Sequence, residues 1–350
     1  MLRHARRFLA GTSLALVVAA SVAAPASAVL PGPNGRIVFM RFDAQGFGQI
    51  WVANPDMTHQ VELTWGRNDG WFPSWSPDGT RIAFGSGRTD PDLDDGVQIS
   101  DIFTMRPDGT DVRKVTDSVG DSEKPTWSPD GRWLVYSADR GDYPASMGLY
   151  LTRSDGSGTP QRVTSLSDGA GWQELARFSP DGSRIAFDEY QGGHVLTHRF
   201  DGRVVAEQAA IFTVKPDGTD KRQLTPWGMH ATDSDWSPDG RRLVFGGQPT
   251  HLGNIGDILV ADADGSHLKD LTQDHGLTGI GNDTAFRYSE SFNPAWSPDG
   301  TTIVFVHGEF TAATGFHGGL QLMNPDGTGR RWLSQGEEHQ PDWGSTPPIP

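Results

Sequence analysis

The chain predicts an all-β fold: a six-bladed β-propeller with four antiparallel strands per blade, its ring closed by a C-terminal strand that joins the N-terminal blade. Three observations carry that prediction. Trp-Ser-Pro-Asp-Gly occurs at 75–79, 127–131, 236–240 and 296–300, with Phe-Ser-Pro-Asp-Gly at 178–182. The anchor aromatics, ending with Trp343, stand 52, 51, 58, 60 and 47 residues apart, a spacing that signals a repeat architecture. Each pentapeptide is followed by alternating apolar residues, such as Ile82/Phe84, Leu134/Tyr136 and Ile303/Phe305, and period-two alternation marks a strand.

The elements of one unit follow from turn chemistry. In Ser-Pro-Asp-Gly, Pro presets φ, Asp bonds back to the turn backbone and Gly takes the left-handed position, so the anchor strand and its successor form a hairpin. A second strand pair follows, typified by 102–105, Arg-Pro-Asp-Gly-Thr and 112–116. Related pairs lie at 50–53 with 64, 149–152 with 164, 211–214 with 225, 258–261 with 272, and 320–323 with 334. Four short strands per repeat make a propeller blade. The first unit, 36–64, has three strands, whereas the anchor strand around Trp343 has nothing after it. Ring closure by 339–344 solves both problems and removes the open edges.

These repeats, five close copies with the Ile-Ala-Phe strand after the turn, resemble the TolB-like six-bladed propellers over nearly all of the chain beyond residue 28. The resemblance implies the fold and says little about activity. TolB itself carries a domain ahead of its propeller; here the first blade is expected to follow the export segment directly.

Residues 1–28 read as a signal peptide. Arg3, Arg6 and Arg7 precede an apolar run, and Ala26-Ser27-Ala28 is a small-residue cleavage site. The propeller is expected over 29–345 and a flexible tail over 346–350. Cleavage would remove three of the 29 basic residues and no acid, leaving 26 against 44 and a net charge of −18. That balance argues against nucleic acid and anionic membrane as partners. The chain has no cysteine, which excludes disulfides and a lipidated N-terminal cysteine. An exported monomer, secreted or held in the periplasm or cell envelope with no membrane span after cleavage, is the expectation.

Strand order puts the Pro-Asp-Gly turns on one face and the variable links on the other, where function on a rigid scaffold concentrates. Of ten histidines beyond residue 28, eight lie in or beside those links. Acids precede the innermost strands on the same side, and aromatics such as Trp65, Trp71 and Trp172 accompany them. The candidate ligand site therefore comprises Asp121, Glu174, His230, Asp233, His275, Glu290, His307, His317, His339 and Gln340. Residues 188–209 predict an extra hairpin, while 273–292 and 306–319 predict long links. A non-enzymatic scaffold that binds a protein or peptide is the principal reading, with no cofactor. The alternative is an acidic or cell-wall polysaccharide, bound or cleaved. Oligogalacturonate lyases resemble this fold and hold a metal with His and Gln, so His339-Gln340 with His275, His307 or His317 would have to carry a divalent cation. No G-x-S-x-G, H-E-x-x-H or phosphate-loop motif is present.

Overall fold

The computed structural model describes residues 33–67, 70–90, 99–117, 120–139, 147–164, 170–191, 208–248, 256–274, 287–311, 315–336 and 338–345. The signal peptide expected at 1–28, the tail expected at 346–350 and most of the hairpin expected at 188–209 fall outside these. Among the described residues no helix is long and apolar enough to cross a membrane.

Blade one contributes β1 (Ile37–Phe42), β2 (Gly48–Ala53) and β3 (Val61–Glu62). Blade two is β4 (Trp71–Trp75), β5 (Ile82–Ser86), β6 (Asp101–Met105) and β7 (Arg113–Lys114). Blade three is β8 (Ser122–Trp127), β9 (Trp133–Ala138), β10 (Gly148–Arg153) and β11 (Gln161–Arg162). Blade four is β12 (Ala170–Phe178), β13 (Ile185–Gln191), β14 (Gln208–Val214) and β15 (Arg222–Gln223). Blade five is β16 (Thr232–Trp236), β17 (Arg242–Gly247), β18 (Asp257–Asp262) and β19 (Lys269–Asp270). Blade six is β20 (Arg287–Trp296), β21 (Ile303–Thr311), β22 (Gly315–Met323) and β23 (Arg331–Trp332), and β24 (Glu338–Trp343) ends the series. β24 pairs with β1, giving the order β24-β1-β2-β3, so all six sheets have four strands and the ring closes as predicted.

Turn chemistry works as the sequence indicated. In each Ser-Pro-Asp-Gly copy the Ser hydroxyl donates to the Asp carboxylate, at 2.7 Å for Ser76 and 2.6 Å for Ser128. The glycines sit at φ 66 to 70, where a side chain would be strained. A further repeat is less obvious in the sequence. The hydroxyl after each outermost strand accepts an N–H from the third strand, Thr64 from Ile50 at 2.9 Å and Ser334 from Leu320 at 3.1 Å.

Burial lies between blades. Six apolar clusters fill the six interfaces, one of them joining Phe39 of blade one to Val304 and Val306 of blade six, with Trp343 between. Closure is also polar: Trp343 Nε1 donates to Gly35 O at 3.0 Å, and Asp342 accepts the N–H of Trp75 at 2.7 Å. The chain leaves β24 through Gly344, where a Cβ would stand 2.7 Å from Trp75 Cγ. Outermost strands are only two residues long, which keeps the sheet edges short. Blade six departs from expectation. Much of 306–319, read as a link, is paired strand, with Thr311 opposite Gly315, because backbone pairing tolerates a Gly-rich stretch without apolar alternation.

Candidate functional site

Each innermost strand carries the same irregularity. Its register shifts between the residue four places and the residue one place before the anchor aromatic, for example Trp71/Ser74 in β4 and Phe292/Ala295 in β20. Within every shift one residue takes a left-handed conformation, and in all six blades it stands three places before the anchor. These are Phe72, Lys124, Leu175, Asp233, Asn293 and Gln340, with φ 50, 57, 55, 58, 49 and 52. A bulge re-aims side chains, and left-handed non-glycine residues cluster where a fold serves a function. All six line a cavity of about 50 Å³ at the centre of the ring.

The ring's charges are half-buried and hold one another. Lys124 pairs with Glu174 and stands 4.9 Å over the Phe72 ring. Burial alone would lower its pKa, but Glu174 and Glu123 hold it above the ordinary value. Asp233 accepts from Asn293 Nδ2 at 2.7 Å, and its backbone N–H donates to Asp188 at 2.8 Å. Burial, reinforced by the Glu174 charge, raises Asp233. Asp188 is raised further by burial and by Asp233, and its Oδ1 has no hydrogen-bond partner. Burial pushes Glu123 up to about 7 against the opposing pull of Lys124. Gln340 accepts the N–H of Phe72 at 2.7 Å.

Below this ring, toward the Pro-Asp-Gly turns, the channel widens to a cavity of about 460 Å³. Anchor aromatics and turn prolines wall it, and Arg177 enters it with Asp235 and Asp342. The Arg177 guanidinium donates to Asp342 at 2.7 Å and lies 3.9 Å from Asp235, which burial pushes up to about 6.

Of the predicted residues, Glu174, Asp233 and Gln340 meet in or beside the ring. His339 immediately precedes Gln340, its ring packed on Phe42 at 5.4 Å and Phe292 at 6.1 Å. His307 lies on β21, buried inside blade six, where Nδ1 meets Arg330 at 2.8 Å and Ser291 at 3.0 Å beside Asp274. His317 is exposed on β22 opposite Glu309, and Glu290 lies on β20 opposite Gly308. Asp121 accepts from Ser100 between blades two and three, and His230 caps a one-turn 3-10 helix. His275 is outside the described residues. Sequence reasoning missed Phe72, Lys124, Leu175, Asn293 and Arg177. The available signal was position: each ring residue stands a fixed three places before its anchor.

His307 Nδ1 faces a guanidinium, Gln340 Oε1 is held by a backbone N–H, and among the described residues no three His, Asp or Glu side chains gather as a metal would require.

Fold and ring together define the class, a six-bladed β-propeller whose six-fold backbone carries an asymmetric central channel. Within that class the chain is similar to TolB proteins, among others. No protein-family model matches the chain. The uncharacterized protein Atu1656 of Agrobacterium fabrum is 34% identical over 147 residues, 40% of this chain and 47% of that protein. A protein TolB homolog of Chlorobium luteolum is 30% identical over 141 residues, 31% of this chain and 32% of the other. The chain thus spans less than half the length of these curated relatives. TolB from Acinetobacter baumannii superposes with a TM-score of 0.61 at 20% identity, covering 89% of this chain and 66% of that one. An oligogalacturonate lyase in complex with manganese gives a TM-score of 0.50 at 13% identity, covering 83% and 86%. At such identities both structures speak for fold alone.

Proposed function

We propose that this chain is an exported, non-enzymatic scaffold that binds a protein or peptide through the channel of its propeller, entered from the face of the variable links. One observation carries the reading. On a backbone repeated six times, the ring residues are an aromatic, a cation, an aliphatic, an acid and two amides, all held in the same left-handed geometry. Structural need would favour one residue type at such a position, glycine above all. Six unlike side chains around one small cavity suit recognition. The propeller fold is common to TolB and to an oligogalacturonate lyase and does not choose between the readings; the unlike ring side chains do.

The test is a random peptide library selected on the mature protein. Selected peptides should lose about tenfold or more in affinity when Asp233→Ala is combined with His339→Ala. They should bind unchanged when His59→Ala is combined with His267→Ala in the turns on the opposite face. Failure to enrich any peptide, or equal effects of the two pairs, overturns the reading. Export predicts that mass spectrometry of the secreted protein finds Val29 as its first residue; an intact Met1 on a membrane-bound product overturns that part.

A further inference from the structure

The ring also specifies what it can hold. Asp233, while ionised, can only accept, so Asn293 must turn its NH2 toward it, at 2.7 Å. The Phe72 backbone N–H can only donate, so Gln340 must turn its Oε1 toward it, at 2.7 Å. Both amides are thereby fixed in orientation by their neighbours. Each keeps one polar atom, Asn293 Oδ1 and Gln340 Nε2, with no protein partner among the described residues, and both side chains line the central cavity. The adjacent blades six and one thus present one acceptor beside one donor.

Across the ring Lys124 stands opposite Asn293 and Leu175 opposite Gln340, with Phe72 and Asp233 between. A volume of about 50 Å³ has room for roughly three or four water-sized groups. That matches the C, O and N of a single carboxamide, not a folded domain or a sugar ring.

Resting on the reading of the channel as a peptide site, we propose that the ring takes the side-chain carboxamide of one glutamine or asparagine of the bound peptide. The ligand's NH2 donates to Asn293 Oδ1 and its oxygen accepts from Gln340 Nε2. Other termini are mismatched. An ammonium can only donate and would leave the Gln340 donor unmatched, and a carboxylate can only accept and would leave the Asn293 acceptor unmatched. Leaving a buried polar group unpaired is costly, so discrimination of about tenfold or more is expected.

Three probes decide it: N-acetylglutamine, N-acetyllysine and N-acetylglutamate methylamides, titrated against the mature protein and followed by NMR at side-chain NH2 signals. The glutamine probe should saturably shift the Asn293 and Gln340 signals and bind about tenfold or more tighter than the other two. Gln340→Glu keeps the acceptor for the Phe72 N–H but removes the donor, and should abolish the preference. Tighter or equal binding of the lysine or glutamate probe, no saturable shift with glutamine, or an undiminished preference in Gln340→Glu overturns the proposal. The probe ranking on the unaltered protein stands even if the variant does not fold. Should library peptides bind the channel with no need for Gln or Asn, the peptide-site reading survives and this one falls.

Discussion

Two positions on the innermost strands, three residues apart, obey opposite rules. The anchor position is Trp in five blades and Phe in one, wedged at the blade interfaces, with Trp75, Trp236, Trp296 and Trp343 buried. The position three places earlier is Phe, Lys, Leu, Asp, Asn and Gln, half-buried on the axis. Both share one backbone and one repeat. What differs is the neighbour: each anchor packs against the next blade, which is the same problem six times, whereas the ring residues face one another across a channel with no blade behind it. Repetition therefore marks packing in this molecule, and its failure marks the residues proposed for recognition.

The largest expected effect breaks the ring that both positions depend on. Deleting residues 338–350 removes the fourth strand of blade one, the Asp342 acceptor of Trp75 and the Asp342 partner of Arg177. Cooperative unfolding should vanish in calorimetry. A truncated protein melting within a few degrees of the intact one would contradict closure.

Next comes a single anchor. Trp296 is 4% exposed and shares a cluster with Val244, Ile258, Phe305 and Met323. Trp296→Ala should cost about 3–5 kcal/mol in denaturant unfolding. A cost below about 1 kcal/mol would mean that the anchors line the lower cavity more than they pack.

A third prediction sharpens the electrostatic side of the contrast. Glu123, next to the ring, is raised from 4.5 to about 7. Because the folded form holds the proton more tightly than the unfolded chain, its contribution is present below about pH 4.5 and is lost as pH rises through about 7. Glu123→Gln should therefore flatten the stability–pH curve across that window. It should stabilise the protein at pH 8 by about 1–2 kcal/mol, allowing for the part of the carboxyl still in water. An unchanged slope between pH 4.5 and 7 would place Glu123 in an ordinary solvated setting.

The smallest effect on stability should come from the ring itself. Leu175→Gly relieves a left-handed conformation that costs a side chain about 1–2 kcal/mol, and gives up a half-buried apolar side chain of similar worth. Unfolding free energy should change by no more than about 1 kcal/mol, while affinity for selected peptides falls. A loss approaching that of the anchor would make the ring a packing element and remove the distinction.

Much of this was legible in the chain. Ser-Pro-Asp-Gly fixes its own hairpin because the Ser–Asp–Gly contacts are local, and the orphan strand at Trp343 with the three-stranded first unit dictates closure by counting. The site was legible only in part. Glu174 and Asp233 were reached through their acidity and their place before an anchor, and Gln340 through the expectation of a His-Gln pair, but His307 was grouped with them although it is buried between Asp274 and Arg330 inside blade six. Loop chemistry says which face a residue is near, and nothing about whether it points inward. Lys124 and Arg177 stayed invisible for the same reason, since a lone cation in an acidic chain reads as surface.

Sequence alone determined the blade count, the turns, the closure and the interblade anchors, all consequences of short-range pattern and of the need to bury apolar faces. Only the tertiary structure decided which residues face the axis. A bulge in each innermost strand breaks period-two alternation just before the anchor, so inward direction there comes from pairing with the second strand and not from the pattern of the sequence. The six side chains that meet on the axis come from strands as far apart as residues 72 and 340. They become neighbours only because the ring is closed.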